Sequence, residues 1–139
     1  MASRNIQDLA KQLQPLASSF INTANALLLK RGLNASVFIT CTWRSNEEQA
    51  KLYEIGRTVK GRKVTNAKPG ESKHNCIDPK TGKPAAEAFD IAILVNGKLD
   101  WNLESDIWQL VGKLGEELGL EWAGRWERFR EGPHFQLRK

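Results

Sequence analysis

The run Ala88–Val95, AFDIAILV, constrains this chain more than any other stretch. Its alternation and its β-branched and aromatic content suit a strand, and the Asn96-Gly97 dipeptide behind it is a hairpin signal leading into Lys98-Leu99. A period of two puts Phe89, Ile91, Ile93 and Val95 on one face and Ala88, Asp90 and Ala92 on the other. Asp90 is therefore a carboxylate between small residues on a sheet face, with room beside it for a metal or a bulky ligand. The other reading of the same residue is an aspartate paired with a lysine or arginine.

The remaining elements surround that strand. Residues 35–42 (ASVFITCT) are short and β-branched, which predicts a second strand. Ser45 and Glu48 behind it have capping-box spacing for a helix to about Ile55, ended by Gly56, and Arg44 falls at the strand-to-helix junction. Ile6, Leu9, Leu13, Leu16, Phe20, Ala24 and Leu27 keep a helical spacing, which predicts a helix over 5–31, stopped by Gly32. Pro15 interrupts it, either as a kink or as a first-turn residue of a second helix.

A helix is also predicted over 102–118, with Ile107, Leu110, Val111, Leu114 and Leu118 as its buried stripe and Gly119 as its stop. Short strands follow at 120–122 and 135–137. Residues 57–87 are rich in Gly, Pro and Lys, with Val64-Thr65 as a candidate short strand; an irregular stretch of that length points to function or mobility. The order predicts a single α+β domain over 1–139, with a small, mainly antiparallel sheet flanked by helices.

Charge and cysteine content narrow the partners. The formal charge is +5 and favours a polyanion, either nucleic acid or an anionic cell envelope. The basic residues form two loose groups, Lys60, Arg62, Lys63 and Lys68, then Arg125, Arg128, Arg130, Arg138 and Lys139. Neither has the interleaved aromatic and basic pattern of a single-strand binder, and no DNA-reading motif is present, so nucleic acid is not the expected partner. Cys41 and Cys76 are in no CxxC arrangement and suggest neither a disulfide framework nor a zinc ribbon. Cys76 lies two residues from His74, but one thiol without a second is more often simply buried or free. No apolar run approaches the ~20 residues of a membrane span, and there is no secretory h-region. The expectation is a monomer made in a host cytoplasm.

Only two histidines are present, His74 in the irregular region and His134 near the end, the latter three residues after Glu131 and next to Pro133. A glutamate and a histidine near a basic terminus are commonly part of a solvated tail. Joined with Asp90, however, the two imidazoles and one carboxylate make a known catalytic zinc set with a fourth position left for water.

In that light, Ser72-Lys73-His74, Ala88-Phe89-Asp90-Ile91, Trp122-Ala123-Gly124-Arg125-Trp126 and Glu131-Gly132-Pro133-His134-Phe135 resemble the ordered motifs of the zinc D-alanyl-D-alanine carboxypeptidases and L-alanyl-D-glutamate endopeptidases. Trp43-Arg44-Ser45, Glu48-Gln49, Leu52-Tyr53 and Gly56-Arg57-Thr58 resemble the segment after that family's first core strand. The resemblance spans about residues 38–137 and implies the fold shared with the hedgehog signalling domain. It further implies that His74, Asp90 and His134 bind Zn2+. Glu131 would be the general base, taking a proton from the attacking water and returning it to the leaving amine. Arg44 would hold a substrate carbonyl or carboxylate and stabilise the oxyanion, and Ser72 would contact substrate or orient the His74 loop.

His74 and Asp90 are sixteen positions apart rather than the family's usual seven, and Ala86 stands where that family has a glycine. The extra residues, 75–84 (NCIDPKTGKP), read as a surface insertion expected to border the cleft.

The implied activity is cleavage of the stem peptide of bacterial peptidoglycan at the L-alanyl-D-glutamate bond by a bacteriophage endolysin. Such an enzyme reaches the wall after another protein permeabilises the membrane, with lipopolysaccharide a further anionic contact. A D,D-carboxypeptidase or dipeptidase shares the same ligand set. A non-catalytic zinc- or polyanion-binding module is the reading from a different class.

Overall fold

The computed structural model describes residues 2–138. Strands β1 (Ala35–Cys41), β2 (Ala88–Val95), β3 (Lys98–Leu99), β4 (Leu120–Trp122) and β5 (His134–Leu137) form one antiparallel sheet in the order β1-β2-β5-β4, with β3 folded back onto β2. Helices α1 (Gln14–Lys30), α2 (Asn46–Glu54) and α3 (Asp106–Glu117) flank it. This is the expected α+β class.

Register divides the sheet into two chemically different faces. Phe89 pairs with Phe135, and Phe135 with Trp122; all three are fully buried, and Phe20 of α1 lies 4.8 Å from the Phe135 ring and 5.9 Å from that of Phe89. The same register pairs Asp90 with His134 and Gln136 with both Ala88 and Glu121. Burying each aromatic side chain contributes about 1.5–3 kcal/mol. A one-residue slip would turn these rings to the polar side and drive Asp90 and His134 into the core. The aromatic face thus holds the register that the polar face needs.

Two glycines let α3 approach that aromatic face closely. A Cβ on Gly112 would stand 2.4 Å from the Trp122 ring, and one on Gly115 would stand 2.5 Å from Phe135. The propensity cost of glycine inside a helix, about 1 kcal/mol each, is accepted here for packing.

Several predicted boundaries move. The predicted helix over 5–31 is a 3-10 turn at Ile6–Asp8, capped by Asn5, followed by α1 from Gln14 with Pro15 in its first turn. Leu9 instead pairs with Ala86, whose carbonyl accepts from the Ala10 N–H at 2.8 Å. The predicted helix over 102–118 starts at Asp106, because the Ser105 hydroxyl caps the Trp108 N–H.

Val64 and Thr65 are not a strand. Their loop is held by side chains: Arg57 donates to the Thr65 carbonyl at 3.0 Å while stacking 3.8 Å over Tyr53, and buried Gln49 donates to the Ala67 carbonyl at 2.8 Å. The Ser45 cap of α2 is as predicted, accepting from the Glu48 N–H at 3.1 Å.

Candidate active site

The polar sheet face, the 64–74 region and the 126–134 segment enclose a cleft of about 620 Å³. All six residues singled out from sequence line it: Arg44, Ser72, His74, Asp90, Glu131 and His134.

A β-bulge shapes the first wall. The β1–β2 register shifts between Ile39 and Cys41, which places Cys41 opposite Asp90. A bulge re-aims the side chains that follow it. Here it brings the Thr42 carbonyl to 2.8 Å from His74 Nδ1, and the Cys41 thiol to 3.7 Å from the same nitrogen. A carbonyl can only accept, so Nδ1 of His74 carries a proton and Nε2 is the nitrogen turned to Asp90, at 3.1 Å from Oδ1.

The His74 loop is clamped by its neighbours. Ser72 Oγ accepts from the His74 N–H, and Asn75 Oδ1 accepts from the N–H groups of Gly70 and Ser72. Asn75 Nδ2 in turn donates to the Arg44 carbonyl at 2.8 Å, while the Arg44 N–H donates to the His74 carbonyl. Of the two readings of Ser72, orientation of the His74 loop is the one with visible contacts.

Arg44 fills the space between these groups. Its guanidinium donates to Gln49 Oε1 at 2.9 Å and lies 3.7 Å from Asp90 Oδ2 and 3.6 Å from the Cys41 sulfur. The arginine pairing read for Asp90 is present, and the same carboxylate is also the meeting point of two imidazoles.

The second wall follows from a turn. The Glu131 N–H donates to the Ala123 carbonyl, the His134 N–H donates to the Glu131 carbonyl, and the Pro133 carbonyl accepts from the Ile91 N–H at 3.0 Å. Trp122 donates its indole N–H to the Gly132 carbonyl at 2.7 Å. Glu131 and His134 are thereby held on one side of the cleft, with His134 Nδ1 3.2 Å from Asp90 Oδ1. No hydrogen bond reaches the Glu131 carboxylate among the described residues, and burial, reinforced by Asp90, raises its pKa against the pull of His134, His74 and Arg44.

Charges are strongly shared at the centre. Burial alone would push His74 down, but the Asp90 carboxylate and its hydrogen bond outweigh it and hold the imidazole at about 10. Asp90 moves the opposite way: burial pushes it up, and the two histidines drive it well below the usual carboxylate range. A cation other than a proton would compete for the same lone pairs and displace that proton on binding.

By donor type, two imidazoles and one carboxylate suit a zinc ion. Two imidazole nitrogens face one carboxylate oxygen at 3.1 and 3.2 Å, close to the ~3.3 Å edge of a tetrahedron with bonds of about 2.0–2.1 Å. A different group of potential ligands, Cys41, His74 and Asp90, has ligand atoms all within 4.8 Å of one another. His134 touches that group through Asp90. Cys41, however, lies beside the His74 nitrogen already bonded to Thr42, whereas Asp90 lies at the other nitrogen and is itself met by His134 Nδ1.

Sequence reading assigned Cys41 no role, because a bulge leaves no mark in the residue pattern. Cys76 is not in any ligand group among the described residues; its carbonyl accepts from the Trp43 indole N–H, and burial raises its thiol.

The insertion does not border the cleft as expected, since no residue of 75–84 lines it. Its ends are tied by the Ile77–Pro84 bridge and by the Ala85 N–H donating to the Cys76 carbonyl, which closes the loop on itself beyond His74.

Comparison with known proteins places the chain among peptidoglycan peptidases. A family model described as D-alanyl-D-alanine carboxypeptidase matches residues 84–137, which hold Asp90, Glu131 and His134. The peptidoglycan L-alanyl-D-glutamate endopeptidase CwlK of Bacillus subtilis is 34% identical over 133 residues, covering 90% of this chain and 73% of CwlK. Among solved structures, the Serratia marcescens L-Ala D-Glu endopeptidase ChiX superposes with a TM-score of 0.59 at 20% identity, over 99% of this chain and 89% of that one. The LD-carboxypeptidase LdcB superposes with a TM-score of 0.63 at 18% identity, over 93% of this chain and 58% of that one. The two structural likenesses show the shared fold.

Proposed function

Because the chain belongs to the family of peptidoglycan metallopeptidases that includes L-alanyl-D-glutamate endopeptidases and D-alanyl-D-alanine carboxypeptidases, we propose that it is a zinc-dependent L-alanyl-D-glutamate endopeptidase acting on the peptidoglycan stem peptide. The observation that carries this reading is the convergence of His74 Nε2 and His134 Nδ1 on one oxygen of Asp90, inside a cleft that also holds Glu131 and Arg44.

In this reading His74, Asp90 and His134 hold the metal. Zinc would supply Lewis-acid polarisation of the scissile carbonyl and a lowered pKa for the attacking water, which removes the need for a serine or cysteine nucleophile. Glu131 takes the proton of that water and returns it to the leaving amine. Its desolvated carboxylate, raised toward the working pH, suits both transfers. Arg44, steadied by Gln49, presents its guanidinium to the carbonyl oxygen as negative charge develops there.

The proposed setting is lysis of a bacterial host by a bacteriophage, with the wall reached through a membrane lesion made by another protein. No described helix is long and apolar enough to cross a membrane. Lys60, Arg62, Lys63 and Lys68 are exposed and flank the cleft-lining residues 64–67, which suits contact with lipopolysaccharide or an anionic wall polymer. The second basic group is partly spent internally: Arg125 pairs with Glu116 at 3.1 Å and Arg130 with Glu104 at 2.6 Å.

The description of the matching family model favours a second reading, a D,D-carboxypeptidase with the same ligand set. Lysis of permeabilised bacteria separates the endopeptidase from a silent binding module. A chelator should abolish the turbidity loss and added zinc should restore it. Zinc uptake with no lysis at any enzyme concentration would overturn the endopeptidase reading.

A further inference from the structure

The polar sheet face extends beyond the proposed ligands, and the extension has a definite proton inventory. Glu121 and Gln136 are cross-strand partners on β4 and β5, and Gln136 lies two residues after His134 on the same strand face. Trp126 donates its indole N–H to Glu121 Oε2 at 2.9 Å, and Gln136 Nε2 donates to Glu121 Oε1 at 3.3 Å. An ionised carboxylate only accepts and an indole N–H only donates, so both ends of this chain have a fixed sense. The Gln136 amide must turn its nitrogen to Glu121 and its oxygen to His134.

That oxygen lies 2.9 Å from His134 Nε2 and can only accept from it. A neutral imidazole carries one N–H, so a proton on Nε2 leaves Nδ1 as a bare lone pair, and Nδ1 is the nitrogen 3.2 Å from Asp90. We propose that Glu121 and Gln136 are positioning residues that lock the tautomer and ring orientation of His134, presenting Nδ1 to the metal. The proposal rests on the reading of His134 as a ligand.

The two histidines are locked by different means. His74 is held by the Thr42 backbone carbonyl, which no substitution removes, whereas the His134 lock consists of replaceable side chains. Outer partners of this type typically change metal affinity by about 10–100-fold when removed.

The test is zinc affinity by competition with a chromogenic chelator, together with long-range 1H–15N spectra of the zinc-loaded protein. Gln136→Leu should bind zinc about 10–100-fold more weakly than wild type. Gln136→Glu should also be weakened, because it sets two carboxylates against each other.

The exchange variant carrying both Gln136→Glu and Glu121→Gln keeps every donor facing an acceptor. The carboxylate then at position 136 would accept from His134, and the amide then at position 121 would donate to that carboxylate while accepting from Trp126. Its affinity should return to within a few-fold of wild type, with the His134 proton on Nε2 in both proteins. Affinity in Gln136→Leu equal to wild type, or an exchange variant no better than Gln136→Glu, would overturn the proposal while leaving the ligand reading intact. Wild-type protein that takes up no zinc would overturn both.

Discussion

Glu131→Gln should lower turnover of peptidoglycan by about 10²–10⁴-fold while zinc still binds. The substitution keeps the size of the side chain and its place beside His134, but an amide cannot take a proton from water at neutral pH. Glu131 is suited to the role by its surroundings: it lines the cleft, its carboxylate accepts no hydrogen bond from the described residues, and burial has raised its pKa. Its loss should fall mainly on kcat, because proton transfer is completed only in the transition state. Steady-state kinetics with zinc content measured on the same samples checks this. Undiminished kcat in a zinc-loaded Glu131→Gln enzyme would remove Glu131 from the chemistry.

The second large effect distinguishes two ligand sets. His134→Ala should abolish hydrolysis and weaken zinc by well over the ~100-fold expected when only an outer partner is lost. Cys41→Ser should leave both within a few-fold of wild type. Distance alone would allow the opposite result, because Cys41 is tightly grouped with His74 and Asp90. Direction decides against it, since the thiol sits at the His74 nitrogen bonded to Thr42 and against the Arg44 guanidinium. Zinc retained by His134→Ala and lost from Cys41→Ser would replace His134 with Cys41 in the site.

Much of this arrangement was legible in the residues because it follows period-two alternation. AFDIAILV places Asp90 opposite the core face whatever the neighbouring strands do, and with only two histidines in the chain a histidine-based site had few alternatives. Features that depend on distant pairing were not legible. Leu9 continues a helical spacing with Leu13, yet it bridges to Ala86, so the predicted first helix begins too early.

The bulge that turns Cys41 toward Asp90 has no residue signature of its own. Gln136 was within reach: it sits at i+2 from His134, and extending the last strand back by one residue places the two on the same face. Glu121 was not, because only the β4–β5 register brings it to Gln136. The insertion misled for a related reason, since length between two ligands says nothing about the direction in which a loop closed by its own bridge will leave them.

Mass spectrometry of purified peptidoglycan digested with zinc-loaded enzyme tests the proposed activity most directly. The account predicts new peptides with D-glutamate at the N-terminus and L-alanine left on the glycan, both absent after chelation. Release of free D-alanine with the L-alanyl-D-glutamate bond intact would contradict it and identify a carboxypeptidase instead.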